Sequence, residues 1–599
     1  MKTLLAAINA QYIHTNLAVR YLYRFRNLYK RQAISFVEFT VNQLPEHIFS
    51  QIYELEPDLL CFSCYLWNIQ TVLQLAEDYK QLRPNTKILL GGPEVSYDGE
   101  ALLRSSPSVD YIIAGEGELV LEPLLDCLSG EGNAEENLSA VPGLVYRRED
   151  GQICANPRPP ALELALLPFP YEGELESLDN RLLYYETSRG CPFNCRYCLS
   201  SAEQGVRFQP LDKVFRELQY FLDARVRQVK LVDRTFNCKR PHYRPILEYL
   251  IAHDNGVTNF HLEISADLLE EEDMTIFSQA RPGLFQLEIG VQSTHPQTAA
   301  AIDRHAPFAK IANAVKQIHS LGNIHCHLDL IAGLPQENYG SFAKSFDDVF
   351  SLRPEQFQLG FLKLLKGSYL REHADGLGLR FRSSPPYEVL SSDRLSFGEL
   401  LRLKGVEEMV DIYYNSGRFQ QTLEYLLGRW MLYPAGKSSS FYFFEALADF
   451  WKKSGCQNAA QGQKQLYTLL WNFYRESEGF RSSRRDLSSA DPGTGPFQSA
   501  ILFDLCRHKK PYDIPSWLGE RPSVAHREEI LRFYRNPDNI HRYLPQYVGL
   551  DPRQIAKLAH IELFWLPEER SWLPVLFDYD HRDLLGNARA TKLYLELQI

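Results

Sequence analysis

Three cysteines crowd into eight residues, Cys191-Pro192-Phe193-Asn194-Cys195-Arg196-Tyr197-Cys198, directly after the strand-like run Leu183-Tyr184-Tyr185-Glu186-Thr187. Thiolates at spacings of four and three, on a loop opened by Gly190 and Pro192, can converge on one metal centre. They supply one ligand fewer than a closed four-cysteine cluster needs, so one coordination position is left for something else. Structural zinc pairs a C-x2-4-C with a second distant pair. The other close pair, Cys61 and Cys64, lies three apart in the strand-like Leu59 to Leu66, where such residues point to opposite faces and read as core packing. A disulfide requires an oxidising compartment, and the chain reads as cytoplasmic. Count, spacing and compartment together favour an iron-sulfur cluster.

C-x3-C-x2-C with an aromatic before the last cysteine resembles the cluster loop of the radical S-adenosylmethionine (SAM) enzymes. The resemblance implies that Cys191, Cys195 and Cys198 hold a 4Fe-4S cluster while SAM chelates the open iron through its amino and carboxylate groups. It also implies that Tyr197 packs beside the cluster or the adenine.

A loop of this kind needs a scaffold, and 599 residues are enough for three domains. Hydrophobic content of 45% and charged content of 23% are ordinary for globular protein. No run approaches the ~18 apolar residues of a membrane span. Met1 to Ile8 has a single lysine and a short apolar run before Asn9 and Gln11, which reads as a first buried strand rather than a signal peptide. A net charge of -11 without a basic face argues against nucleic acid as a partner, and a tRNA-modifying role is disfavoured on the same ground.

Residues 1 to 130 alternate short apolar strands with helical stretches, the pattern of a doubly wound, flavodoxin-like parallel sheet that binds ligands outside the carboxyl ends of its strands. Those ends carry Asn9-Ala10-Gln11, Ser63, Gly91-Gly92-Pro93 and Gly115-Glu116-Gly117-Glu118; the two glutamates would repel a phosphate, so this is no phosphate cradle. Placed before the thiol loop, the module resembles the cobalamin-binding domain of cobalamin-dependent radical SAM enzymes. Ser63, Gly91 and Gly92 then match the slot for the nucleotide tail of cobalamin. Domains that ligate cobalt carry Asp-x-His-x-x-Gly after the first strand, whereas Asn9-Ala10-Gln11 stands here, and His14, three residues later, is at most a shifted ligand. Without it the lower face of cobalt is water-bound or empty. A signalling or structural flavodoxin-like domain is the competing reading of the module.

Residues 131 to 182 read as a proline-stiffened linker, with one strand near Val141 to Tyr146. From 183 to 375, six strand-like runs separated by helical stretches fit a partial (β/α)6 barrel, with chemistry at the carboxyl ends of the strands. In the family resembled, Asp233 matches a carboxylate facing the SAM ammonium, while Ser265, Asp267, Glu288 and Gln292 match ribose or methionine contacts. Any of these carboxylates could instead pair structurally with a barrel arginine such as Arg234 or Arg304. Residues 376 to 599 are mixed but mainly helical and rich in Tyr, Phe and Trp: a capping box at Ser396 and Glu399 opens one helix, Ser482 to Pro496 reads as a mobile loop, and Leu573 to Tyr579 as a strand.

The whole arrangement resembles cobalamin-binding radical SAM proteins with an extra C-terminal domain. It implies a cytoplasmic, monomeric enzyme that generates a 5'-deoxyadenosyl radical, takes electrons from a donor such as flavodoxin or ferredoxin, and uses cobalamin to methylate an unactivated carbon of a small-molecule or peptide substrate. Two readings compete: a cyclase, rearrangement or oxidation enzyme with the same cofactors and no methyl transfer, and a non-catalytic cobalamin-binding regulator.

Overall fold

Strand β1 (Lys2–Asn9) carries Leu4 to Ile8 as an unbroken apolar run, and each of these side chains is buried, as a strand covered on both faces requires. The computed structural model describes residues 1–25, 33–130, 134–178, 180–201, 205–431, 438–457, 461–477, 480, 495–519, 521–566, 571–582 and 586–593. In it β1 lies between β2 (Ala33–Thr40) and β3 (Leu59–Ser63), followed by β4 (Lys87–Gly91) and β5 (Tyr111–Ile113), all parallel. The chain leaves β1 toward one side and returns on the other, which opens a crevice outside the carboxyl ends of β1 and β3.

The sheet does not stop where the linker was expected to begin. Strands β6 (Leu144–Arg147) and β7 (Ile153–Ala155) add to β5 antiparallel, so the sheet is seven strands wide and reaches residue 155. Leu144, Val145 and Tyr146 are buried there, and the backbone of the three-residue β5 gains a partner. The remainder of the linker is tied to both sides. Leu162, Leu164 and Leu167 pack on Tyr21 and Phe25, while Tyr171 enters the second core, its hydroxyl donating to the Tyr184 carbonyl at 2.8 Å and accepting from the Tyr184 N–H at 2.9 Å.

The second sheet contains β8 (Leu182–Tyr185) and, beyond a short antiparallel pair β9 (Ser188–Gly190) and β10 (Val206–Phe208), the strands β11 (Gln228–Leu231), β12 (Asn259–Ile264), β13 (Phe285–Gln292), β14 (His325–Ala332) and β15 (Gln356–Phe361). Its six strands run parallel in sequence order from β8 to β15 and the sheet stays open, a partial barrel as expected. In β13, Phe285, Leu287, Ile289 and Val291 are buried while Gln286, Glu288, Gly290 and Gln292 alternate with them at intermediate exposure. Period-two alternation of this kind sends the apolar set to the helical layer and the polar set to the inner face.

The β9–β10 pair ties off the base of the thiol loop. Gly190 sits opposite Val206 at φ +104, and a Cβ there would stand 2.2 Å from the Gly205 carbonyl, so only glycine fits.

The free edge of β15 is covered from the C-terminal region. The expected capping box at Ser396 and Glu399 opens helix Phe397–Met409, which runs on as a π-helical turn, Val410–Asn415. The Asn415 amide accepts from the Phe357 N–H at 2.8 Å and donates to the Phe357 carbonyl at 2.9 Å, giving the edge strand a side-chain partner in place of a strand. Helices Ser440–Lys453 and Gln463–Glu476 turn their aromatics into the core of the second sheet, and Ser571–Arg582 forms the middle of a three-stranded antiparallel sheet. The loop expected from Ser482 lies outside the described residues as far as 494; Pro496 opens helix Pro496–His508. No helix among the described residues is long and apolar enough to cross a membrane.

The carboxyl ends of the two sheets meet. The Leu182 N–H donates to the Ile13 carbonyl at 2.7 Å, so the loop after β1 bridges onto the start of β8. Lys366 pairs with Glu94 at 3.2 Å and Asp98 at 2.9 Å, and Tyr387 donates to Glu94. The densest contact is Arg189, which reaches Glu116 at 3.0 Å, Glu118 at 3.0 Å and Glu186 at 2.6 Å, while Arg207 also pairs with Glu116. Removing one partner from a buried ionic set costs about 3–5 kcal/mol. Arg189→Gln is therefore expected to lower the thermal midpoint by several degrees and to weaken cobalamin retention; scanning calorimetry and cobalamin absorbance after gel filtration check this, and an unchanged midpoint would show that the clamp is dispensable.

Candidate active site

One cavity opens where the sheets meet, and a second, within the second sheet's region, shares Arg234 with it. The larger, of about 560 Å³, is lined from the first sheet by Asn9, Ala10, Ser63, Tyr65, Trp67, Gly91, Gly92 and the Gly115 to Glu118 loop, and from the second by Tyr184, Glu186, Arg189, Val232 and Arg234. Trp67 stacks on Tyr65 with ring centroids 4.5 Å apart and donates its indole N–H to the Ile8 carbonyl at 2.9 Å. Gly92 takes φ +105, and a Cβ would stand 2.6 Å from the Cys64 carbonyl; a Cβ on Gly91 would meet no protein atom within 4 Å, only the cavity. Ser63, Gly91 and Gly92 are thus brought to one wall.

The repulsion expected of Glu116 and Glu118 is reduced by the arginines that hold them, Arg189 and Arg207. Burial pushes the Glu116 carboxyl up, but hydrogen bonds from Arg207 and Arg189 together with the Arg189 charge more than offset this and hold it at about 2. Asn9, standing where cobalt-ligating domains carry aspartate, spends its amide on the loop, donating to the His14 carbonyl at 3.0 Å. His14 lines the same cavity, with its ring edge-on to Tyr184 at 5.8 Å, and burial followed by the Lys230 charge lowers its pKa, so the imidazole is neutral at pH 7.

The smaller cavity, of about 190 Å³, gathers Cys191, Cys195, Cys198, Tyr197, Arg234, Thr235, Glu263, Ser265, Glu288, Gln292, Arg304 and Asp329. All three thiols of the loop therefore face one space. At least one pair of their sulfurs lies more than 4.8 Å apart, wider than the roughly 3.8 Å that tetrahedral zinc at about 2.3 Å per bond would impose. Arg304 lies 3.9 Å from the Cys195 sulfur, and its Nε and the Oε1 of Gln292 are buried without a hydrogen-bond partner. A register shift between Gly290 and Gln292, with Gln292 at φ +70, accompanies that residue's place on the pocket wall. Orphaned polar atoms beside three thiols are what a polar cosubstrate would satisfy.

The other expected residues divide. Ser265 lines the pocket and donates to Asp267 at 2.6 Å, so Asp267 stands behind it, off the wall. Glu288 is on the wall but is engaged from below, by Lys230 at 2.8 Å and His261 at 2.8 Å; burial raises its pKa, and these two partners hold it well under the usual carboxylate range. His327 lies close enough to complete a His261–Glu288–His327 ligand group, but the Lys230 ammonium already supplies the positive charge.

Asp233 is a correction. It is 1% exposed and off the pocket wall, accepting from the Thr187 N–H at 2.9 Å, the Thr187 hydroxyl at 2.6 Å and the Ser188 hydroxyl at 2.5 Å. Burial pushes its carboxyl up to about 6 against those donors. It fastens the segment between β8 and the thiol loop, with both oxygens engaged there. Sequence reasoning missed Glu263 on the wall and cast Arg234 and Arg304 only as counter-ions for the acids. It also passed over Asn237, whose amide donates to the Ser265 carbonyl at 2.9 Å and accepts from the Ser265 N–H at 2.9 Å.

Substitutions in the two cavities separate these assignments. Alanine at Cys191, Cys195 or Cys198 is expected to abolish the roughly four irons per chain of a reconstituted cluster, whereas Cys238→Ala, close to Cys191 but off the wall, keeps them. Gly91→Val is expected to leave iron content and the melting profile intact while abolishing cobalamin uptake, because its side chain would project into the larger cavity. Iron analysis and absorbance spectra read both.

Comparison with known proteins accounts for the three parts of the chain. Residues 3–125 match the B12 binding domain, residues 185–349 the Radical SAM superfamily, and residues 375–570 a protein of unknown function family, DUF4080. The chain is similar to the cobalamin-dependent radical SAM methyltransferase TokK of Streptomyces tokunonensis, 26% identical over 48% of this chain and 44% of TokK, and to the anaerobic magnesium-protoporphyrin IX monomethyl ester cyclase of Rubrivivax gelatinosus, 24% identical over 54% of this chain and 59% of the cyclase. It thus spans about half the length of these relatives. The solved structure of the cobalamin-dependent S-adenosylmethionine radical enzyme OxsB, with aqua-cobalamin and S-adenosylmethionine bound, shares the fold with a TM-score of 0.58 at 14% identity, covering 84% of each chain. In chain order, a match to the B12 binding domain stands in front of the match to the Radical SAM superfamily, and the match to DUF4080 stands behind it.

Proposed function

We propose that the protein is a radical SAM methyltransferase acting on an unactivated carbon, with cobalamin as the methyl carrier. The observation that carries this reading is that the cavity of the B12-binding domain and the thiol pocket of the radical SAM domain open onto a common residue, Arg234. When bound, the 4Fe-4S cluster and SAM supply a 5'-deoxyadenosyl radical and cobalamin supplies the methyl group, chemistry beyond any side chain because the hydrogen removed is too weakly acidic for a protein base.

The chain's own part is to hold and to exclude. Cys191, Cys195 and Cys198 would take three corners of the cluster. Arg304, with a free Nε, suits the SAM carboxylate, and the free Oε1 of Gln292 suits its ammonium or a ribose hydroxyl. Ser265, fixed by Asp267 and Asn237, supplies a further polar contact. Ser63, Gly91 and Gly92 would admit the nucleotide tail of cobalamin. Tyr184 and Val232 line the larger cavity between these parts and keep water from the reacting carbon. A one-electron donor such as flavodoxin or ferredoxin completes the cycle.

The likeness to a cyclase supports a second reading, in which the same cofactors close a ring without methyl transfer. Reconstituted holoprotein, reduced anaerobically with methyl-deuterated SAM and a small-molecule extract of the host cells, separates the two by mass spectrometry. Methylation predicts 5'-deoxyadenosine together with a deuterated product. 5'-Deoxyadenosine with an unlabelled product supports the cyclase reading, and no 5'-deoxyadenosine would overturn both.

A further inference from the structure

We propose that Arg234 is the anion anchor for the substrate, so that the molecule acted on carries a carboxylate or phosphate group; the inference rests on the function proposed above. Arg234 lies just past the end of β11, and among the described residues no other side chain lines both cavities. It is exposed, and the surface it exposes borders those two spaces.

Its guanidinium has no ion pair and no side-chain hydrogen bond among the described residues. The acids that could have paired with it are engaged elsewhere: the neighbouring Asp233 accepts from Thr187 and Ser188, and Glu263 pairs with Lys230 at 3.4 Å. Glu116, Glu118 and Glu186 belong to Arg189. A guanidinium that borders two cavities without a counter-charge is a fork for a planar carboxylate or a phosphate, held by two parallel hydrogen bonds.

Two sources could bring such an anion, SAM itself and the substrate. Arg304 is the nearer to the thiols, at 3.9 Å from the Cys195 sulfur, and does not line the larger cavity. That position suits the carboxylate of SAM. Arg234, on the boundary, stands where a substrate must lie to be reached from both sides.

The test uses holoprotein carrying cobalamin, cluster and SAM, incubated without reductant with a small-molecule extract split by anion exchange into bound and unbound fractions. Compounds retained on ultrafiltration are identified by mass spectrometry. The expected ligand comes from the bound fraction and carries a carboxylate or phosphate; its retention falls about tenfold, or about 1.4 kcal/mol, in Arg234→Gln and partly recovers in Arg234→Lys, with cobalamin and iron contents as in the wild type. Retention of uncharged compounds only, of none, or undiminished retention by Arg234→Gln overturns the proposal. So does loss of cobalamin or SAM binding in that variant, which would assign the guanidinium to a cofactor. Failure of the underlying function shows separately, as absence of 5'-deoxyadenosine on reduction although the anionic ligand is retained.

Discussion

Arg189 stands two residues before the first thiol, with its guanidinium among Glu116, Glu118 and Glu186, and through it the loop that holds the thiols is tied to the end of β5 in the other sheet. Taking one cation and three carboxylates out of water is costly unless all are present and well placed. The cluster therefore tolerates little change in the distance between the sheets. Because Glu116 and Glu118 belong to the larger cavity and Arg189 leads directly into the thiol loop, the same contact that joins the domains sets how far apart the two cavities lie.

The rest of the architecture serves that register. The Tyr171 hydroxyl, from the linker, pins the Tyr184 backbone in β8, and the loop after β1 bridges to Leu182, so the edge of the second sheet nearest the first is fastened along its length. At the opposite edge Asn415 takes the place of a neighbouring strand for β15. The C-terminal domain thus closes a sheet that would otherwise expose its free edge. Inside, Lys230 joins Glu263 and Glu288, whereas Arg234 has no ion pair among the described residues.

Local features were legible in the sequence and long-range ones were not. The thiol loop, the alternation of strands and helices, and the capping box at Ser396 are written within a few residues, where spacing alone carries the information. The direction of a carboxylate is not: Asp233 follows a strand as a ligand-facing acid would, but its partners Thr187 and Ser188 lie 45 to 46 residues away. Likewise nothing local announces that Glu116 meets Arg207 across 91 residues, or that Leu144–Arg147 pairs with β5 instead of spanning a linker. Arg304 and Arg234 were visible as charges, but which of the two would be left without a protein partner depends on where every nearby acid points.

On the function proposed above, the B12-binding and thiol cavities hold their cofactors face to face across Arg234. Electron paramagnetic resonance of protein carrying cob(II)alamin and the reduced cluster together tests it directly, since both centres are paramagnetic. A cobalt signal broadened and relaxed by the nearby cluster is expected. A cob(II)alamin spectrum identical with and without the reduced cluster would contradict it.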